Sequence, residues 1–187
     1  MQSLPSDIDV SNFVLSHMKP SRDLAVALYN IFTSDSDGMR FWLRGENIDS
    51  VGVVLDGITC AYGCDNMYMF EILHDGQIIG EIGFATINDK NKSVKIDYWL
   101  APSARNKGLI DKFLPVVEEL AFKNMGMNKI VLCIDTENIA SRKVAERNGY
   151  KLDGILRAEK LWFDGSFHDE CEYSKLKSDW SKEGKNA

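Results

Sequence analysis

Residues 93–124 read SVKIDYWLAPSARNKGLIDKFLPVVEELAFKN and change from a strand pattern to a helix pattern across one short loop. From Val94 to Leu100, apolar or aromatic residues occupy every second position, which is typical of a strand. From Leu109 to Ala121, apolar residues recur at spacings of three and four, which is typical of a helix with one apolar face. The stretch therefore predicts a strand, a loop and a helix that packs on a sheet.

The loop between these two elements, Arg105-Asn106-Lys107-Gly108, is basic and contains a glycine. A helix that begins after such a loop presents unpaired backbone N–H groups and the positive end of its dipole at one point. This arrangement suits an anionic ligand such as a pyrophosphate. The spacing differs from that of two better-known phosphate loops, which need several glycines or a Gly-Lys-Ser/Thr sequence.

Two segments resemble the RimJ/RimL branch of the GNAT superfamily of N-acetyltransferases. The first, Tyr98-Trp99-Leu100-x-Pro102-x-x-Arg105-x-Lys107-Gly108, is similar to the acetyl-CoA signature of that superfamily, Gln/Arg-x-x-Gly-x-Gly/Ala. The second, Asn138-x-x-Ser141-x-x-Val144-x-Glu146-x-x-Gly149-Tyr150 followed by Gly154-x-Leu156-Arg157, resembles the cofactor-side helix of the branch and the strand after it. With their connecting elements, these matches cover roughly residues 8 to 180.

The resemblance implies an α/β (mixed α+β) fold, with residues 1–187 forming a single acetyltransferase domain. Its mixed, twisted sheet of about seven strands would open between two parallel strands and be flanked by helices. The implied reaction moves an acetyl group from acetyl-CoA to a primary amine by direct attack on the thioester, without a metal. The acceptor would be a protein N-terminal α-amine or a small-molecule amine, and the resemblance also allows a homodimer.

The resemblance also implies a set of cofactor-binding positions: Trp99, Leu100, Arg105, Asn106, Lys107, Gly108, Leu109, Ile110, Asn138 and Ser141. Backbone N–H groups near Trp99 and Leu100 would pair with the cofactor and its carbonyl. By resemblance, Asn138 binds the pantetheine and Ser141 protonates or hydrogen-bonds the departing thiolate, one helical turn further on. The alternative is that Asn138 only caps a helix and Ser141 is a small packing residue.

Three carboxylates are candidates for the general base: Glu159, which falls close to a glutamate implicated in the branch, Asp97, and Glu81 on the preceding strand. None stands out, because a surface ion pair is the commoner role of a single carboxylate. An α-amine, with a pKa of ~7.7 to 8.0, needs less help from a base to lose its proton than a lysine amine, with a pKa of ~10.4. The lack of an unmistakable base therefore favours a peptide N-terminus or a weakly basic small amine. Trp99 and Trp162 are the aromatic candidates for an acceptor cleft.

Several positions depart from the pattern of the family. Asn106 stands where the family usually has glycine, and Ile110 stands where it usually has glycine or alanine. Asp111 stands at a helix-opening position that often holds threonine. A carboxylate at this point would repel a bound pyrophosphate unless Lys107 or Lys112 neutralises it. These departures leave a second interpretation open, in which a catalytically degenerate GNAT-fold module binds acyl-CoA or has a regulatory role.

Composition narrows the class of protein. The chain has 22 Lys and Arg against 28 Asp and Glu, a net charge of −6, which argues against nucleic-acid binding. The first ten residues lack the basic and apolar segments of a signal peptide, and no stretch reaches the ~18 apolar residues of a membrane span. We therefore expect a cytoplasmic protein without membrane contact. Its four cysteines are expected to be reduced, with Cys133 packed in the core.

The remaining elements follow from periodicity and turn residues. We expect a strand over 10–18, helices over 20–33 and 46–62, a hairpin of 67–74 with 77–88, a strand over 130–134 parallel to 93–100, a helix over 138–148, and a hairpin of 150–163 with 168–177. Pro115 predicts a kink or a late start in the helix that follows the basic loop.

Overall fold

The computed structural model describes residues 4–43 and 48–183. The strands are β1 (Asp7–Val10), β2 (Phe13–His17), β3 (Tyr68–His74), β4 (Gln77–Asn88), β5 (Ser93–Leu100), β6 (Lys129–Asp135), β7 (Lys151–Leu161) and β8 (Phe167–Leu176). The helices are α1 (Arg22–Ser34), α2 (Ser36–Leu43), α3 (Val51–Tyr62), α4 (Leu109–Glu119), α5 (Ile139–Arg147) and α6 (Lys177–Glu183), with a 3₁₀ turn at Pro102–Ala104 and a π turn at Leu120–Asn124.

The strands form one mixed sheet in the order β1-β2-β3-β4-β5-β6-β8-β7. Neighbouring strands pair antiparallel except β5 and β6, which are parallel and joined through α4. The parallel pairing extends from Ser93 to Lys95 on β5, opposite Lys129 to Val131 on β6. Beyond those residues the two strands no longer pair with each other, so the sheet opens between them. The expected mixed sheet and its opening between two parallel strands are confirmed.

The sheet has eight strands because β1 precedes the predicted strand over 10–18, which corresponds to β2. Val10 ends β1 and Phe13 begins β2, and the two strands form a hairpin. Ser11 lies in the turn with a φ of 59°, a left-handed conformation that a continuous strand does not contain. The expected strand over 10–18 is therefore confirmed at Phe13–His17, and its first residue, Val10, belongs to β1.

Two apolar clusters lie on opposite faces of the sheet. The larger packs α4 and α5 against one face and includes Phe84, Ile96 and Phe113. The smaller packs α1, α2 and α3 against the other face and includes Phe32 and Trp99. Because successive strand residues point to opposite faces, β5 sends Ile96 into one cluster and Trp99 into the other.

The helix predictions are mostly confirmed, with corrections at the ends. The predicted helix over 20–33 is α1, whose N-cap Ser21 accepts a hydrogen bond from the Leu24 N–H at 3.1 Å. Only part of the helix expected over 46–62 is observed, because α3 begins at Val51 and residues 46 and 47 lie outside the described residues. The short helix α2 was not predicted.

The helix after the basic loop begins at Leu109, so the late start inferred from Pro115 is wrong. Pro115 lies inside α4, and the departure from regular helix geometry comes after it, in the π turn at Leu120–Asn124. No helix in the described part of the chain is long and apolar enough to cross a membrane.

Candidate active site

A cavity of about 1310 Å³ lies where β5 and β6 diverge. Its lining includes Ser141 of α5 on one side of the sheet and Phe32 of α1 on the other. The consecutive β5 residues Tyr98 and Trp99 both line it, although their side chains point to opposite faces. The cavity therefore crosses the sheet through the opening, and it gives access from both faces to the same stretch of strand backbone.

The basic loop borders the cavity on the α4 side. Asn106 and Gly108 have φ values of 59° and 65°, both in the left-handed region. Gly108 is the N-cap of α4 and provides no side-chain cap, so the N–H groups of the first helical turn remain available. Asn106, Gly108 and Ile110 line the cavity, whereas Lys107 is exposed and does not. The backbone of this loop is thus suited to an anion at one end of the cavity.

Arg105 also lines the cavity, and its side chain binds other parts of the protein. Its Nε donates to the Leu100 carbonyl oxygen at 2.9 Å, and Nη1 donates to Asp35 Oδ2. Its Nη2 lies 3.3 Å from the sulfur of Met39 in α2. Arg105 therefore ties the basic loop to the end of α1 and to α2, and its guanidinium already has protein partners.

Asp111, expected to repel a pyrophosphate or to be neutralised by Lys107 or Lys112, has a different counter-ion. Arg147 Nη2 lies 2.8 Å from Asp111 Oδ2, and the Asn148 side-chain amide donates to Oδ1 at 2.7 Å. The sequence left neutralisation by a lysine open as an alternative, but the counter-ion is Arg147, because the end of α5 packs beside the first turn of α4. The carboxylate joins these two helices, and its charge is compensated by Arg147.

Asn138 and Ser141 both line the cavity at the start of α5. Asn138 is the N-cap of the helix, and its side-chain oxygen accepts a hydrogen bond from the Ser141 N–H at 3.2 Å. Asn138 therefore has the helix-capping role that the sequence left open as an alternative. The Ser141 hydroxyl lies beside that of Tyr98. Burial raises the pKa of Tyr98 to about 12, and the Ser141 hydroxyl opposes this rise.

Glu81 and Glu170 are the buried carboxylates among the described residues that line the cavity, and only 5% of the Glu81 surface is exposed. The Trp99 ring nitrogen donates to Glu81 Oε2 at 2.8 Å, from the neighbouring strand and the same face of the sheet. Burial raises the pKa of Glu81 to about 7, and the hydrogen bond from Trp99 opposes the rise. A carboxylate with such a pKa can take up and release a proton near neutral pH, as a general base must.

The other two candidate bases are placed differently. Asp97 is half-buried and lines the cavity two residues before Trp99, on the same face of the sheet. Glu159 is exposed on β7 and does not line the cavity. Between Leu156 and Lys160 the register of β7 against β8 shifts, and this irregularity contains Glu159. The position of Glu159 could not be read from strand alternation for that reason.

The β7–β8 hairpin closes one side of the cavity through Trp162, which was expected in an acceptor cleft and lines it together with Trp99. The Trp162 ring stacks on His168 with centroids 3.7 Å apart and meets Phe41 of α2 edge-on at 6.0 Å. His168 Nδ1 lies 2.7 Å from Asp135 Oδ2. The hairpin therefore reaches across to α2, which the sequence patterns did not indicate.

Asp135, Glu137 and His168 bring three potential metal-ligand atoms within 4.8 Å of one another. Both ring nitrogens of His168 already face oxygen atoms, those of Asp135 and Ser166. We interpret the group as a hydrogen-bond network that holds the ring under Trp162.

Cys133 was expected to pack in the core, but it is half-buried and lines the cavity. Its strand faces the opening in the sheet, so a residue with core-like neighbours in sequence lies on the cavity wall. Burial raises the pKa of the Cys133 thiol, although nearby Lys95 opposes the rise. A raised thiol pKa does not favour a nucleophilic role.

A mixed sheet opened between two parallel strands, with a basic glycine loop at a helix start and a cavity through the opening, defines the class of GNAT-type acetyltransferases. Residues 12–151 match the family model described as the acetyltransferase (GNAT) domain. The chain belongs to this family, as its strand–loop–helix segment predicts.

Two curated relatives and one solved structure illustrate the branch. The chain is 32% identical over 112 residues to YdaF of Bacillus subtilis (strain 168), provisionally named a ribosomal N-acetyltransferase, and 30% identical over 108 residues to the ribosomal-protein-serine acetyltransferase of Escherichia coli (strain K12). These matches cover 60% and 58% of the chain, and the chain spans only 61% and 60% of the length of these relatives. RimL, a ribosomal-protein alpha-N-acetyltransferase solved with coenzyme A, superposes with a TM-score of 0.77 at 20% identity, over 91% of this chain and 97% of RimL. These likenesses support the expected RimJ/RimL-like branch.

Proposed function

We propose that this chain is an N-acetyltransferase that moves an acetyl group from acetyl-CoA to a primary amine. The observation that carries the proposal is the cavity through the opened sheet. At one end it has the uncapped start of α4, and on the far face it has the buried carboxylate of Glu81. One end suits an anionic cofactor and the other a basic acceptor, so the two substrates would approach from opposite faces of the sheet. The two curated relatives, which are named as ribosomal or ribosomal-protein acetyltransferases, support the assignment.

The cofactor would lie along the opening. Its pyrophosphate would accept hydrogen bonds from the backbone between Asn106 and Ile110, where the helix dipole favours negative charge. The pantetheine arm would run between β5 and β6 beyond Lys95, where the two strands do not pair with each other. Backbone groups of Trp99 and Leu100 would hold the thioester carbonyl, in keeping with the role that the resemblance gives them. Arg105 would position this loop rather than contact the phosphates.

The chemistry needs a neutral amine and a stabilised leaving group. Glu81, directly or through one water, would accept a proton from the acceptor amine, which then attacks the carbonyl carbon of the thioester. A C–N bond forms, the C–S bond breaks, and the proton that the attacking nitrogen loses passes to the departing thiolate, which Ser141 stabilises with a hydrogen bond. We assign the base to Glu81 instead of Glu159, because Glu81 is buried at the cavity and Glu159 is exposed outside it. Asp97 is the second choice.

The acceptor is a protein N-terminus, as named for the relatives, or a small-molecule amine. Because acetyl-CoA is an intracellular metabolite, we place the reaction in the cytoplasm. The proposal is tested by following thiol release from acetyl-CoA in the presence of a panel of amines. Thermal unfolding with and without acetyl-CoA provides an independent measure of binding, since saturation at ~100 times the dissociation constant adds about 2.7 kcal/mol to the stability.

A matched pair of variants tests the position of the cofactor. Gly108→Glu adds bulk and negative charge where the backbone must approach phosphate, so we expect it to abolish acetyl-CoA binding by calorimetry. Gly126→Glu is the control, because Gly126 has a φ of 67°, close to the 65° of Gly108, but does not line the cavity. Equal binding by the two variants would refute this placement. Binding without thiol release across the whole panel would favour the acyl-CoA-binding module over the enzyme.

A further inference from the structure

The half of the cavity under α1, α2 and α3 is predominantly apolar and aromatic. Its lining includes Phe32, Met39, Trp42, Ile58, Met69 and Trp99. These side chains belong to the smaller apolar cluster. Phe32 and Trp42 both face the Trp99 ring, with centroids 5.4 and 6.3 Å away, so three aromatic rings meet at this wall.

Charged groups lie on the sheet side of the same space. Glu81 accepts a hydrogen bond from Trp99, and Asp97 and Glu170, which share the nearby cation Lys95, line the adjoining part of the cavity. Carboxylates attract a cationic amine and repel a carboxylate-bearing group. The amine of an acceptor would therefore face the sheet, and the substituent that carries it would face the helices.

We propose that the acceptor carries a bulky apolar, preferentially aromatic, group next to its primary amine. This inference rests on the proposed acetyltransferase function and names its substrate class. Two sources share this chemistry: a peptide whose first residue is large and apolar, and a free arylalkylamine.

The physical reason is the difference between burying an apolar group and burying a small polar one. An aromatic or long aliphatic side chain gains by leaving water, and a ring would extend the existing aromatic contacts. The methionines of the lining, Met39 and Met69, have flexible side chains that adapt to such a group. A serine hydroxyl in the same position would lose water and meet mostly carbon atoms, which is unfavourable without a partner. The preference would thus differ from that of the Escherichia coli relative named for serine.

The first experiment compares acceptors by kcat/KM, with thiol release as the readout. One arm uses peptides of identical sequence after residue one, which is phenylalanine, methionine, alanine or serine. The other arm compares 2-phenylethylamine with ethanolamine. We expect the phenylalanine and methionine peptides, or phenylethylamine, to exceed their serine or ethanolamine counterparts at least about tenfold, since single methylenes in apolar pockets discriminate by ~10- to 200-fold. The arm with the higher kcat/KM identifies the source of the amine.

A pair of tryptophan variants then links the preference to this part of the cavity. Trp42→Ala removes a partly buried ring from the apolar lining, and Trp180→Ala removes a partly buried ring that packs on Phe122, away from the cavity. We expect Trp42→Ala to reduce the apolar-over-serine ratio about tenfold or more, and Trp180→Ala to leave this ratio unchanged. Ile58→Ala is the second variant of the lining if Trp42→Ala does not fold.

The outcomes separate the two proposals. If serine or ethanolamine acceptors react as well as the apolar ones, the inference is wrong and the acetyltransferase assignment stands. An unchanged apolar-over-serine ratio in the folded lining variants would also overturn it. If acetyl-CoA binds and no amine of either arm releases thiol, the proposed function fails and the inference fails with it.

Discussion

At the scale of single residues, the environment of Glu81 links the stability of the protein with the proposed role of Glu81 as the base. The raised pKa of about 7 means that the folded state disfavours the ionised carboxylate. In an unfolded chain the same group would ionise near its ordinary value of 4.5. As pH rises from that value to about 7, the folded protein therefore loses stability at this site. The same ionised form is the one that can accept a proton from an amine.

We predict that Glu81→Gln lowers turnover by about 10²- to 10⁴-fold, because the amide cannot act as a base. At pH 8 the variant should also be more stable than the unmodified protein, by up to about 3 kcal/mol for the pKa shift from 4.5 to about 7. The glutamine oxygen can still accept the hydrogen bond from Trp99. Turnover against pH and thermal unfolding at pH 5 and pH 8 check both parts. In the unmodified protein, kcat/KM should rise as the pH increases through about 7.

Glu71→Gln is the matched control for this prediction. Glu71 lies opposite Glu81 on β3, and burial also raises its pKa, but it does not line the cavity. We expect its turnover near pH 8 to remain unchanged and its pH profile of activity to shift slightly towards lower pH, because the Glu71 carboxylate contributes to the raised pKa of Glu81. If both variants kept full turnover, the base would be Asp97 or water.

Ser141 offers a second prediction at this scale. Ser141→Ala should lower kcat by about 10²-fold with little change in acetyl-CoA affinity, because a group that supports the departing thiolate acts mainly in the transition state. The Asn138 cap should persist, since it uses the Ser141 backbone N–H. Tyr98→Phe is the comparison, because it removes the neighbouring hydroxyl. An unaffected kcat in Ser141→Ala with a lowered one in Tyr98→Phe would transfer the role to Tyr98.

At the scale of elements, Arg105 connects the basic loop before α4 with the helices on the other face of the sheet. It belongs to the loop before α4, and its guanidinium pairs with Asp35, where α1 ends. A Cβ added at Gly38 of α2 would lie 2.1 Å from both Arg105 Nη1 and Asp35 Oδ2, so the helix packs directly on this pair. The ion pair therefore couples the position of the cofactor loop to the helices that cover the acceptor space.

We predict that Asp35→Ala weakens acetyl-CoA binding about threefold to tenfold, although Asp35 lies outside the loop. The substitution leaves the partly buried Arg105 without its carboxylate, and the loop backbone should then lose part of its order. Calorimetry measures the affinity. The control is Asp56→Ala at an exposed position of α3, which should bind acetyl-CoA like the unmodified protein. Identical affinities in all three proteins would show that the pair is structural only.

At the scale of the whole molecule, the opened sheet leaves strand backbone facing a cavity. β5 and β6 pair with each other over three residues each and then diverge, while each keeps its antiparallel neighbour on the other side. The backbone groups of the two strands that face the gap are therefore not used in pairing β5 with β6. Backbone groups that face the gap can therefore serve as binding groups.

We predict that acetyl-CoA slows amide hydrogen exchange in β5 beyond Lys95 and in β6 beyond Val131, at the amides that point into the gap. Labelling for seconds is the suitable measurement, because local opening dominates exchange on that timescale. Slowing by about tenfold or more is expected at saturating cofactor. The paired segments, Ser93 to Lys95 and Lys129 to Val131, are the internal control and should change little. Slowing confined to other elements would place the pantetheine outside the gap.

The amino-acid sequence by itself determined the local elements of this protein and its family. The strand over 93–100, the hairpin around Asp75-Gly76 and the helix capped by Asn138 depend on interactions within a few residues. Such interactions leave periodicities and turn residues that can be read along the chain. The two family segments contain only elements of this kind, and so the fold could be predicted from them, whereas the cofactor-binding residues stay a prediction.

Only the tertiary structure decided which side chains form the candidate site and what charge they carry. Arg105 finds its carboxylate 70 residues away and Asp111 its guanidinium 36 residues away, and no local pattern encodes either pair. Glu81 and Glu159 were equivalent candidates in sequence. One is buried against Trp99 under three helices, and the other lies exposed in a strand irregularity. A pKa depends on desolvation and on neighbouring groups, and both are set by segments that meet only when the chain is folded.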